Sequence, residues 1–253
     1  MIKIFYSKTK KEAGVKAANS IAKVINQKEN SVLGLATGSS PTAMYDELIS
    51  MCKNKDISFK NVKTINLDEY IGLPKSHNQS YDYFMREHLF DAIDIDPKNT
   101  NLPNGLEEDY EKECKRYNEL FESLGGTDVQ VLGIGLNGHI GFNEPSESFT
   151  VGTAAVKLTE STIKANSRFF EKEEDVPTMA ISMGIDQIMK SGKIILLADG
   201  DAKAEILERA LFGEVTPRVP ASVLRLAKDV EVYADEKALA VIMNKHPESV
   251  ICD

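Results

Sequence analysis

Val129-Gln130-Val131-Leu132-Gly133-Ile134-Gly135-Leu136-Asn137-Gly138-His139-Ile140-Gly141-Phe142-Asn143-Glu144-Pro145 decides how this chain reads. Val129–Ile134 is an apolar, strand-like run that enters a glycine cluster carrying a histidine and a carboxylate. A second apolar run, ending at Leu67, delivers Asp68-Glu69-Tyr70 in the same way. In an open α/β sheet, ligands bind at the carboxyl ends of strands. Two such ends bearing a carboxylate, a His and a second carboxylate suit acid–base chemistry. The chain reads as an enzyme.

Outward from these runs, strands alternate with helices. Strands are expected at Lys3–Ser7, Val32–Thr37, Val62–Leu67, Val129–Ile134, Lys193–Ala198 and Glu231–Ala234. Val15, Ala18, Ile21, Ala22 and Ile25 recur at helical spacing, predicting a helix over Glu12–Gln27. Further helices are expected at Thr42–Cys52, Tyr81–Ile93, Leu106–Ser123, Met179–Lys190, Asp201–Leu211 and Glu236–Met243. This alternation predicts a Rossmann-like α/β fold, an open, mainly parallel sheet with helices on both faces. No linker, repeat or long charge block divides the chain, so residues 1–253 are expected to form a single domain. Phe149–Pro177 lacks a strong period. It reads equally as a solvated excursion or as a lid carrying Arg168 over the site.

Composition narrows the partners. Net charge is −9, which disfavours general attraction to nucleic acid or anionic membrane, so an anionic substrate must be held by local groups. Three dispersed cysteines argue against a disulfide framework or a zinc site and fit a reducing, cytoplasmic setting. Met1–Tyr6 is too short for the apolar region of a signal peptide, and charged residues follow it. No apolar run approaches the roughly 20 residues that cross a bilayer.

Thr37-Gly38-Ser39-Ser40-Pro41 is a small-residue turn between a strand and a helix. Free backbone N–H groups, the helix dipole and two hydroxyls make it an anion cradle. The alternative is that Ser39 or Ser40 only caps the helix. The Walker A pattern is absent. Of the adjacent carboxylates Asp68 and Glu69, extended backbone sends one to each side, so at most one faces a pocket. Asp68, first after the strand, is the better candidate; capping is its bland alternative. Gly133-x-Gly135-x-x-Gly138 matches the dinucleotide fingerprint, but Gly141 and Pro145 discourage the helix it requires. His139 and Glu144 are also unexplained by cofactor binding. Imidazole exchanges protons near neutral pH, and a nearby carboxylate orients it, so His139 is assigned to catalysis. Lys203, at the start of a helix, and Arg168 are cations suited to an anion. No two-His spacing supports a metal.

At these residues the chain resembles the glucosamine-6-phosphate deaminases. The resemblance spans Leu33–Gly38, Asn66–Leu73, Gly138–Pro145, Ala165–Phe170 and Lys203, nearly the whole chain. It implies conversion of D-glucosamine 6-phosphate and water to D-fructose 6-phosphate and ammonia, in amino-sugar catabolism, with no cofactor and no metal. By the same resemblance His139 opens the pyranose ring, assisted by Glu144 and Asn137, and Asp68 moves the C2 proton toward C1. The matching phosphate positions are Ser39, Ser40, Arg168 and Lys203, with Thr37 and Gly38 in the same loop.

Two departures stand out. Many relatives carry Asp where this chain has Asn137, and an amide cannot stabilise imidazolium by charge. Regulated relatives bind N-acetylglucosamine 6-phosphate through basic residues after the glycine cluster and a longer tail. Here Val151-Gly152-Thr153-Ala154-Ala155 has no Arg and the sequence stops at Asp253, so no such activation is expected. Galactosamine-6-phosphate deaminase, a 6-phosphogluconolactonase-like hydrolase and a non-catalytic sugar-phosphate-binding regulator are the alternatives. Monomer or homo-oligomer is left open.

Overall fold

The computed structural model describes residues 2–252. In chain order its elements begin with β1 (Ile2–Ser7), α1 (Lys10–Gln27), β2 (Val32–Leu35), α2 (Thr42–Lys53), β3 (Lys63–Asn66) and β4 (Asp68–Tyr70). There follow α3 (Tyr81–His88), β5 (Thr100–Asn101), α4 (Tyr110–Ser123), β6 (Val129–Gly133), β7 (Ala154–Lys157), α5 (Glu160–Asn166) and β8 (Met179–Ser182). The chain ends with α6 (Ile185–Met189), β9 (Lys193–Ala198), α7 (Ala204–Phe212), β10 (Val230–Asp235), α8 (Ala240–Lys245) and β11 (Val250–Ile251).

Eight strands form one sheet in the order β11-β1-β10-β9-β6-β2-β3-β5. Its pairings are parallel, from Ile2 opposite Val230 at one side to Thr64 opposite Thr100 at the other. Helices supply its cover. α1 is a good example: Thr9 caps it by accepting from the Glu12 N–H at 3.2 Å, and Ala13, Ala17, Ile21 and Ile25 are its buried stripe. α1 packs on α2 where Gly14 leaves room for Ala43 and Met44. Strands β2 and β9 are nearly all buried, as strands covered on both faces must be. The core runs continuously from Ile4 and Ile21 through Leu35 and Ile65 to Leu196 and Val232.

The order places the site. After β2 the chain moves outward to β3, whereas after β6 it moves the other way to β9. The β2–β6 boundary is therefore the point where strand order reverses, and a crevice opens there at the carboxyl ends. β9, β6, β2 and β3 lie side by side, and their trailing loops carry Asp199–Lys203, Ile134–Glu144, Thr37–Pro41 and Asp68.

A second sheet was not expected. β4, β8 and β7 form three antiparallel strands, with Asp68 opposite Ser182 and Ser182 opposite Ala154. Met179–Lys190 is thus not one helix: Met179–Ser182 is the central strand of this sheet, and α6 begins only after Gly184. Phe149–Pro177 is also more regular than its sequence pattern, since it contains β7 and α5. Both errors have one cause. Strands of three or four residues are too short to display a period, and pairing partners decide their conformation. Tyr81–Ile93 stops being α-helical at His88, and the helix predicted from Leu106 starts at Tyr110, where Asp109 accepts from the Lys112 N–H. No helix among the described residues is long and apolar enough to cross a membrane.

Candidate active site

One cavity of about 630 Å³ occupies the crevice. Thr37, Gly38, Ser39, Ser40, Asp68, Asn137, His139, Arg168 and Lys203 all line it. Glu144 does not; it reaches the cavity through His139. Asp68 and His139, brought from different strand ends, share the same space.

Asp68 opens β4 and is buried. Burial, and then the charge of neighbouring Glu69, pushes its carboxyl up to about 8. Glu69 points the other way. Its Oε1 accepts from the N–H groups of Tyr70 and Tyr81, and its Oε2 from that of Asp82, each at 2.9 Å. It therefore holds the first turn of α3, where free N–H groups need an acceptor. The alternation expected for two adjacent carboxylates separates these roles. Glu69 also fixes Tyr81, whose ring joins the cavity wall and stacks on Phe142.

The loop after β6 starts no helix, so the dinucleotide fingerprint is not realised. Instead it makes a tight turn, with the Gly138 N–H on Gly135 O at 3.0 Å and the Gly135 N–H on His139 O at 2.9 Å. Gly138 has φ +88°, which favours glycine, and a Cβ on Gly135 would collide with the His139 imidazole. The ring sits where a side chain at 135 would be. Asn143, buried, ties the loop down by donating from Nδ2 to Ile140 O and Met183 O, both at 2.9 Å.

His139 Nδ1 is 3.5 Å from Glu144 Oε2, within ion-pair range but without a hydrogen bond between them. Glu144 is anchored more closely by Asn137 Nδ2 at 2.6 Å and by Thr162 Oγ1 at 2.5 Å. Burial alone would raise the Glu144 carboxyl. The close approach of the His139 imidazole, with hydrogen bonds from Thr162 and Asn137, outweighs it and brings the group down to about 2. Glu144 therefore stays a carboxylate beside the ring. Asn137 also accepts from the His139 backbone N–H at 3.2 Å. The amide thus positions both partners, while Glu144 alone supplies the charge.

The opposite part of the cavity is cationic. Burial, helped by nearby Arg168 and opposed by Asp199, lowers the Lys203 ammonium from its ordinary value. Lys203 Nζ donates to Ile134 O at 2.5 Å, which aims it along the glycine loop. Arg168, in a 3-10 turn after α5, lies over the Phe169 ring at 4.7 Å. Gly38, at φ +92°, exposes backbone at the end of β2. The helix-cap alternative for Ser39 and Ser40 is not what the structure shows: Pro41 occupies the cap of α2 with no side-chain bond, and Ser40 Oγ donates to Asp199 instead. Replacing Lys203 by methionine is expected to raise KM for a phosphorylated substrate about a hundredfold, with a smaller effect on kcat. Steady-state kinetics check this; an unchanged KM excludes Lys203 from the anion site.

Three contributors escaped the sequence reading. Asp199 follows β9 directly, the same signal that singles out Asp68. Thr162 lies in a segment without period, and Tyr81 had only its place at a helix start to mark it. Neither carried a usable signal. No group of three or more metal-ligating side chains occurs among the described residues.

Comparisons with known proteins identify the family. The family profile described as glucosamine-6-phosphate isomerases/6-phosphogluconolactonase matches residues 7–233. A glucosamine-6-phosphate deaminase of Clostridioides difficile (strain 630) is 53% identical over 230 residues, 91% of this chain and 92% of that protein. One from Thermoanaerobacter sp. (strain X514) is 51% identical over 241 residues, 95% of each. The solved structure of a monomeric glucosamine-6-phosphate deaminase superposes with TM-score 0.92 at 44% identity, covering 94% of this chain and 99% of that one. A 6-phosphogluconolactonase of Thermotoga maritima, 18% identical with TM-score 0.75 over 93% of this chain and 99% of its own, shares the fold.

Proposed function

The chain belongs to the glucosamine-6-phosphate isomerase/6-phosphogluconolactonase family, and from that premise we propose that it converts D-glucosamine 6-phosphate and water to D-fructose 6-phosphate and ammonia. One observation carries the reading: a buried carboxylate and a carboxylate-backed imidazole share a cavity whose far part is cationic.

The phosphate sits among Ser39, Ser40, Arg168 and Lys203, which fix the sugar so that reacting atoms meet the acid–base groups. His139 accepts the proton of the anomeric hydroxyl and returns one to the ring oxygen, opening the pyranose. Glu144, ionised throughout, stabilises the imidazolium between those transfers. Asp68 then takes the C2 proton. The electrons of the C2–H bond form a C1–C2 double bond, while the former aldehyde oxygen gains a proton. Return of a proton to C1 leaves an iminium at C2. Water adds there, the C–N bond breaks, and ammonia leaves with the ketose behind. The segment 149–177, bearing α5 and Arg168, covers the phosphate in this scheme.

A lactonase needs no base at a sugar carbon, so a buried Asp68 would have no task in it. The direct test is release of ammonia by the purified protein from D-glucosamine 6-phosphate, with the galacto epimer run in parallel. Faster release from the gluco substrate is expected. Release from neither, together with hydrolysis of 6-phosphogluconolactone, would overturn the reading.

A further inference from the structure

The cationic end of the cavity contains a carboxylate that anion capture does not require. Asp199 lines the cavity, and its Oδ1 accepts the Ser40 hydroxyl at 2.8 Å. Its Oδ2 lies 3.5 Å from Lys10 Nζ at the start of α1. A serine has a single O–H to donate. While Asp199 holds that proton, Ser40 presents lone pairs to an approaching anion. Asp199 also sets one negative charge against the positive charges of Arg168 and Lys203. Donor competition and charge act in the same direction.

We propose that Asp199 is a specificity-determining residue of the anion subsite, competing with a bound phosphoryl group for the Ser40 hydroxyl and limiting affinity for phosphorylated sugars. This rests on the sugar-phosphate reading of the cavity. Its consequence is a site that releases its phosphorylated product readily. Lys10, reaching Asp199 from outside the cavity, sets how much of the carboxylate's charge the anion meets.

The experiment measures calorimetric binding of inorganic phosphate, and steady-state kinetics with D-glucosamine 6-phosphate, for wild type, Asp199→Asn and Lys10→Met. Asparagine removes the carboxylate's charge, and its amide, a weaker acceptor that can also turn its NH2 toward Ser40 Oγ, competes less for the hydroxyl proton. Asp199→Asn is expected to tighten Kd for phosphate and lower KM about three- to tenfold, the change falling mainly on KM rather than kcat. Lys10→Met, which leaves Asp199 without its outer counter-charge, is expected to weaken phosphate binding about twofold. Equal or weaker phosphate binding in Asp199→Asn overturns the inference and leaves the sugar-phosphate reading standing. Failure of wild type to bind either anion removes both.

Discussion

Asp68→Asn is expected to lower kcat by about a thousandfold or more and, at the same time, to make the protein more stable. The loss follows from the proposed role, since an amide cannot take the C2 proton and general-base removal commonly costs two to four orders of magnitude. Exchange of the C2 proton with deuterated solvent should vanish with it. The gain follows from burial. The carboxyl ionises near 3.8 in an unfolded chain but near 8 in the folded cavity. Between those values the folded state retains a proton that the unfolded chain has released, so stability is lost as pH rises through that window. Asparagine carries no such proton. Wild type and variant should melt alike below the lower value and diverge until about pH 8. At neutral pH, about three pKa units above the unfolded value, the difference is on the order of 4 kcal/mol, or several degrees in Tm. The raised value also predicts that wild-type kcat/KM climbs with pH up to about 8, as the base ionises. A variant that keeps C2 exchange, or melts below wild type at neutral pH, would contradict the assignment.

His139→Gln is expected to reduce kcat by about 10²–10⁴-fold. Glutamine can occupy the space over Gly135 but cannot carry a proton between the anomeric hydroxyl and the ring oxygen. KM should move only a few-fold, because Ser39, Ser40, Arg168 and Lys203, the proposed phosphate contacts, lie elsewhere in the cavity. The two variants should differ in kind. Asp68→Asn loses C2 exchange, whereas His139→Gln retains it at a rate set by how often the sugar opens unaided. A His139→Gln enzyme turning over within threefold of wild type would remove the imidazole from the reaction.

Much of the fold and of the cavity lining is legible in the sequence. The runs at Val129–Ile134 and Lys193–Ala198 are apolar without alternation, as doubly covered strands are, and they became β6 and β9. That the residues following such strands come together is legible because loops at their carboxyl ends converge whatever the details between. Asp68 facing the cavity while Glu69 faces α3 is a direct result of strand alternation. What could not be read was set by partners distant in sequence. Met179–Ser182 has a helix-compatible composition and becomes a strand because β4 and β7 flank it. Thr162 matters only because α5 brings it 2.5 Å from Glu144. Ser40 looked like a cap or a phosphate ligand, and neither reading anticipated Asp199 as its acceptor.

The small antiparallel sheet has a use for redesign. It ties Asp68, the base in the proposed reaction, to the strand leading toward Arg168 through one run of paired residues, Asp68 to Ser182 to Ala154. That ladder works as a ruler with its zero at C2. Lengthening or shortening the stretch between Lys157 and Arg168 would change how far the guanidinium reaches while leaving the zero mark in place. Sugars one carbon longer or shorter are best sought there, with the great parallel sheet left untouched.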